Sequence, residues 1–249
     1  MQPPSALSRS RSKFTVSQTP SRPPRIGFFG GTFDPPHTGH LALASLALQT
    51  LDLDKVLVAP VGLQPLKLGR PATPYRDRLA MTRLALAGHP RLELSEADAP
   101  RPDGLPNYMI DTLRRLRAPL PPDAQLYVIC GADAFLNISL WHRPSDLLME
   151  FPFIIGARPG FDLGRIANAL PDDISVASDD HPDPQLLTLG LRNRHGRRSR
   201  LYLLPQLQHD ISATELRDAL HSADPNPSLL PQAVLAYIRD HRLYRNGTP

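Results

Sequence analysis

The chain has 249 residues, enough for one sizeable core, with 41% apolar residues, a single cysteine and a formal charge of +4. Lone Cys130 excludes a disulfide framework and suits a reducing compartment, and no apolar run approaches a membrane span or a signal-peptide core. The surplus charge sits in residues 1–25 and 190–200, both free of acids, so the body between is net acidic and is not built to track nucleic acid.

Residues 1–24 are rich in Ser, Pro and Arg, which predicts a disordered N-terminal extension. Their Arg/Ser-rich character suits a transit peptide, but Pro3, Pro4, Pro20, Pro23 and Pro24 break the amphipathic helix that such a peptide needs. The folded part is expected to span residues 25–245.

Arg25-Ile26-Gly27-Phe28-Phe29 reads as a buried strand, and Leu41 to Leu48 as a helix apolar on nearly every side. Between them lies Gly30-Gly31-Thr32-Phe33-Asp34-Pro35-Pro36-His37-Thr38-Gly39-His40. A Gly-rich turn between strand and helix aims backbone N–H groups and a partial positive charge at one gap, which suits a phosphate. His37 and His40 sit at the helix start and can face the same anion. As a zinc pair they lack company: no cysteine is near, and the next histidine is His89.

Lys55 to Val61 reads as a second strand, followed by a loop from Gly62 to Thr73 that carries Lys67 and Arg70. Thr73-Pro74 predicts an N-cap and first-turn proline for a helix running to about Ala87. Leu92–Leu94 and Gln125–Gly131 read as strands, with a helix beginning near Asn107 between them and Arg114, Arg115 and Arg117 on its exposed side. Phe151 to Gly156 is a further strand. Strands alternating with helices at this spacing imply a single α/β domain built on a doubly wound parallel sheet with helices on both faces. Ligands of such sheets bind beyond the carboxyl ends of the strands, where His37, His40, Lys67, Asp133 and Trp141 fall.

Residues 161–200 are expected to form an irregular, partly mobile insertion with a helix from Gly164 to Leu170, and the arginine run 192–200 a solvated loop. Leu201 to Pro205 reads as a strand. Ile211-Ser212-Ala213-Thr214-Glu215-Leu216-Arg217 fits a helix start with a capping box, and equally a second phosphate-receiving helix N-terminus closed by Arg217. Leu229 to Ile238 reads as a final amphipathic helix, ending near Leu243-Tyr244-Arg245.

Gly31 to His40 resembles the G-x-F-D-P-x-H-x-G-H signature of the nucleotidyltransferase superfamily, and Ile211 to Arg217 resembles its second signature, I-S-x-T-x-x-R. The span 25–245 is similar to bacterial nicotinate-nucleotide adenylyltransferases, through Pro106-Asn107-Tyr108, Gly131-Ala132-Asp133, Trp141-His142 and Arg158-Pro159-Gly160. The resemblance implies a Rossmann-like fold and, in NAD biosynthesis, adenylyl transfer from ATP to nicotinate mononucleotide, releasing pyrophosphate.

It implies that His37 and His40 contact phosphate oxygens, and that Gly30, Gly31, Thr32 and Phe33 form the nucleotide cradle. Lys67 and Arg217 would neutralise pyrophosphate, which Ser212 and Thr214 hold. Trp141 would stack on the pyridine ring, amides near Met109 and His142 beside Tyr108 would receive the nicotinate carboxylate, and Asp133 would bond a ribose. Trp141 also reads as a plain core aromatic, and Asp133 as a helix N-cap. Mg²⁺ would be held mainly by the ATP phosphates, with no protein ligand named. Two residues depart from the family pattern: Leu66 replaces the His before Lys67, and Met109 replaces the Thr after the tyrosine.

A cytoplasmic enzyme is expected, with ATP and nicotinate mononucleotide as partners, no membrane or nucleic acid, and homo-oligomerisation left open. The rivals are a sister enzyme using nicotinamide mononucleotide or another phosphorylated acceptor, and a non-catalytic RNA-binding protein.

Overall fold

A computed structural model describes residues 22–69, 72–158, 160–162, 164–177, 186–205, 207, 213–221 and 227–244. Nearly all of the expected N-terminal extension lies outside these residues. Arg22 already belongs to the folded body, its guanidinium donating to the Asp54 carboxylate at 2.9 Å and to the Asp52 carbonyl at 3.0 Å.

The first half of the chain follows the expected alternation. It runs β1 (Arg25–Gly31), α1 (Thr38–Thr50), β2 (Lys55–Pro60), α2 (Tyr75–Ala85), β3 (Leu92–Leu94), α3 (Met109–Arg117) and β4 (Gln125–Gly131). Then come α4 (Ala132–Phe135), α5 (Pro144–Glu150), β5 (Phe153–Gly156), α6 (Gly164–Asn168), β6 (Ile174–Ala177), β7 (Leu187–Asn193), β8 (Arg198–Leu204), α7 (Ala213–His221) and α8 (Gln232–Asp240).

The strands make one eight-stranded sheet in the order β3-β2-β1-β4-β5-β8-β7-β6. All pairs from β3 to β8 are parallel, whereas β8–β7 and β7–β6 are antiparallel. The order reverses between β1 and β4, and the crevice beyond their carboxyl ends is the place where a doubly wound sheet takes its ligand.

Helices cover both faces because the central strands are apolar on both sides. Phe28, Val128, Phe153 and Leu201 pack with α3, α4 and α5 on one face. Val56, Ile129 and Ile154 pack with Leu43, Ala47 and Leu48 of α1 on the other. Helices α2, α7 and α8 form a separate helical cluster through Met81, Leu216, Val234 and Tyr244.

Two expectations are corrected. Residues 161–200 are not an irregular insertion: among the described ones, β6, β7 and the first residues of β8 extend the sheet, preceded by the helix α6. Leu189 and Leu191 alternate on β7, but the arginines on the hairpin's outer positions hide that period in a charge run. Nor does Thr73 cap α2. Pro74 holds the N-cap position, while Thr73 is buried and its amide donates to Asp34 Oδ2 at 3.2 Å. The arginine-rich tip between β7 and β8 lies at the sheet end opposite the carboxyl ends of β1, β4 and β5.

Candidate active site

Beyond those carboxyl ends opens a cleft of about 960 Å³. Gly30, Gly31, Thr32, His37 and His40 form one wall, Gln64 to Lys67 a second, and Tyr108, Met109, Asp133, Trp141 and His142 a third. The residues that the resemblance implies for phosphate and pyridine, with Lys67 alone of the pyrophosphate set, line this one cavity. Its size lies at the upper end of the range for small-molecule and cofactor sites.

His37 is the N-cap of α1, in extended conformation (φ −136°, ψ 170°), and His40 is its third helical residue. The backbone amide of His37 donates to His40 Nδ1 at 3.1 Å. That bond fixes the tautomer: with Nδ1 accepting, the remaining proton of a neutral ring sits on Nε2. The two imidazoles stack with centroids 3.6 Å apart, and the Phe33 edge meets His40 at 4.9 Å. Burial, then the neighbouring His37 and Lys67 charges, hold His40 well below the usual histidine pKa.

Below pH ~6.5 the unfolded chain binds a proton that folded His40 refuses, so this residue destabilises the fold as pH falls, until its own low pKa is passed. The slope is at most about 1.4 kcal/mol per pH unit. Denaturation of wild type and His40→Gln between pH 7 and 5.5 should show the wild type losing stability faster; parallel curves would refute the assignment.

Thr32 links the first wall to the second. Its hydroxyl donates to Gln64 Oε1 at 2.8 Å and accepts from Lys67 Nζ at 3.2 Å. Lys67 ends a short 3₁₀ turn, Pro65–Lys67, and is exposed at the cleft mouth beside Leu66.

On the third wall, Tyr108 is the N-cap of α3, which leaves the first amides of that helix at Met109 and Ile110 without an intrahelical acceptor. The Tyr108 ring stacks on His142 at 4.2 Å. Trp141 is partly buried against Phe153 (centroids 6.4 Å) with its remaining surface on the cleft, so it is both core and lining. Asp133 does not cap α4. Gly131 does, and the Asp133 side chain is 80% exposed, 3.5 Å from Arg158.

Phe33, Thr214 and Arg217 do not reach the cleft wall. Phe33 lies beneath His40. Arg217 donates to the Asp34 carbonyl at 2.8 Å and to Thr214 Oγ1 at 3.2 Å. The start of α7 therefore abuts the loop that starts α1, behind the cleft wall and not on it. Ser212 lies outside the described residues.

Sequence reasoning missed Asp98, buried on the cleft floor where its Oδ1 accepts from Thr112 Oγ1 at 2.5 Å. Burial raises its pKa, partly offset by that bond and by Arg115. Asn107 ties two loops together, donating to the Ala99 carbonyl and accepting from the Leu63 amide. Asp98 stands in no motif that spacing would single out, and Asn107 is part of the Pro106-Asn107-Tyr108 segment without a role of its own. Among the described residues no three His, Cys, Asp or Glu side chains cluster as metal ligands, and no helix is long and apolar enough to cross a membrane.

A doubly wound sheet whose first turn sets two imidazoles at a helix start, over a large cleft at the carboxyl ends of the strands, has the architecture of a nucleotidyltransferase. Residues 28–219 match the cytidylyltransferase-like family model. The chain is 38% identical to the "Probable nicotinate-nucleotide adenylyltransferase" of Moorella thermoacetica, covering 90% of this chain and 94% of that protein. It is 36% identical to the protein of that name from Pelobacter propionicus, covering 88% and 98%. It belongs to the nicotinate-nucleotide adenylyltransferase family. The nicotinic acid mononucleotide adenylyltransferase of Plasmodium falciparum, solved in complex with NaAD, shares its fold: TM-score 0.64 at 19% identity, over 89% of this chain and 97% of that one.

Proposed function

We propose that this protein transfers the adenylyl group of ATP to nicotinate mononucleotide, and that the residues of the cleft divide the work as follows. A phosphate oxygen of the mononucleotide attacks the α-phosphorus of ATP. The new P–O bond forms as the bond to the β-phosphate breaks, yielding nicotinate adenine dinucleotide and pyrophosphate. The attacking phosphate is already anionic, so the chain need supply no nucleophile and no strong base. Its work is to align two polyanions and to stabilise charge on the α-phosphate.

The observation that carries this reading is the convergence of the Gly30–His40 cradle and the Tyr108–Trp141 wall on one cleft. His40, with its proton on Nε2, donates to an α-phosphate oxygen, and His37 to a neighbouring one. Lys67 meets the departing pyrophosphate from the second wall. Arg217 and Thr214 stand behind the loop that starts α1, bonded to Asp34 and to each other, and would meet the same anion only by turning from those partners. Magnesium would be held mainly by the triphosphate oxygens and not by protein side chains, and would supply positive charge beside that of Lys67.

The nicotinate carboxylate is assigned to the open amides at the start of α3, where the helix dipole also favours an anion. Met109 in place of a threonine leaves those amides intact. A hydrogen bond to a charged acceptor exceeds one to a neutral amide by roughly 1–1.5 kcal/mol, about tenfold. Mixing the protein with ATP, magnesium and either nicotinate or nicotinamide mononucleotide, and following pyrophosphate release, should give a kcat/KM about tenfold or more higher for the acid. Equal values would remove the carboxylate assignment, and no release with either would remove the reaction.

A further inference from the structure

Beneath the phosphate cradle lies a charge that no motif announces. Arg78 sits on α2 and is only 3% exposed. Its Nε donates to the Thr73 carbonyl at 2.9 Å, Nη1 to the Thr32 carbonyl at 2.7 Å and Nη2 to the Gly62 carbonyl at 3.4 Å. The Tyr75 ring lies 5.6 Å from the guanidinium carbon. One fork thus joins the loop after β1, the loop after β2 and the segment leading into α2. The buried Asp34 carboxylate opposes the cost of burying this cation, and is itself held by the Thr73 amide (3.2 Å) and the Tyr244 hydroxyl (2.5 Å).

An arginine buried this deeply would be replaceable by a long apolar residue if only packing mattered. What distinguishes it is the partner set. The Thr32 carbonyl that receives Nη1 belongs to the residue whose hydroxyl accepts from Lys67 and donates to Gln64. We propose that Arg78 is a positioning residue for adenylyl transfer: its planar fork fixes the main chain of Thr32, and through it the register of the His37–His40 loop against Lys67. The inference rests on the adenylyl-transfer reading above. A displacement of about 1 Å at such a distance from the chemistry costs about 10²-fold in rate. Lysine cannot replace the fork, because one ammonium does not span three diverging carbonyls.

The test is Arg78→Lys and Arg78→Met, with kcat and both KM values measured by pyrophosphate release and referred to folded protein by near-UV circular dichroism. Arg78→Lys should lose about tenfold in kcat and Arg78→Met about 10²-fold, with the KM for the mononucleotide within threefold of wild type. A purely structural arginine would lower the melting temperature of both variants and leave kcat per folded molecule unchanged, which would overturn the proposal. Should Arg78→Met not fold, Arg78→Lys decides alone: an unchanged kcat refutes positioning. Wild-type turnover in the same assay separates this outcome from failure of the reaction itself.

Discussion

Replacing His40 by alanine lowers kcat by about 10²–10³, the loss that follows removal of one preorganised donor from a transition-state oxyanion site. The size of the effect comes from how completely the ring is fixed before substrate arrives. Its Nδ1 is occupied by the His37 amide, its face by the His37 ring and its edge by Phe33. The Nε2 proton therefore needs no reorientation when charge develops on the α-phosphate. A low pKa keeps the ring neutral near pH 7, so it acts by donating a hydrogen bond and not as a charge. Losing the ring contacts also costs about 1 kcal/mol of stability, so kcat is measured on protein shown to be folded. A loss below threefold would take His40 out of the chemistry.

The part of this site that was readable from sequence is the part compressed into short, local patterns. Gly30 to His40 needs only a strand, a turn and a helix start in succession, and the flanking apolar runs mark the two-sided burial of β1 and α1. The Ile211 to Arg217 segment is similarly local. What escaped is held by contacts between distant stretches. Arg78 reads as one more charge on an amphipathic helix, and its three acceptors lie 5, 46 and 16 residues away. Tyr244 carries no local sign of its partner, yet is fully buried against Asp34, 210 residues earlier. The β7–β8 hairpin was obscured for another reason. Its strands carry Arg192, Arg198 and Arg200 at the turn end of the hairpin, where burial does not enforce apolar alternation.

Gly62→Ala should destabilise the protein by about 1–3 kcal/mol and raise the KM for the mononucleotide about tenfold. Gly62 follows β2, its amide donates to the Asp98 carbonyl at 2.7 Å, and its carbonyl accepts from Arg78. A Cβ at this position would stand 2.4 Å from the Pro100 nitrogen, 2.5 Å from its Cα and 2.9 Å from the Ala99 carbonyl carbon. These are main-chain atoms, so no rotamer change relieves the overlap and the two loops must part.

The same pair of loops is stitched one residue further on, where Leu63 and Asn107 exchange bonds of 3.2 and 3.0 Å. Separation is therefore transmitted to Asp98 on the cleft floor and to Tyr108 at the start of α3, the end of the cavity assigned to the acceptor. ATP meets the opposite wall, so its KM should change less than the acceptor's. Urea unfolding together with initial rates at varied mononucleotide would measure both effects. A stability within 0.5 kcal/mol of wild type, the range of neutral surface changes, together with an unchanged acceptor KM, would show that the loops yield to a methyl group and that their close approach does not shape the site.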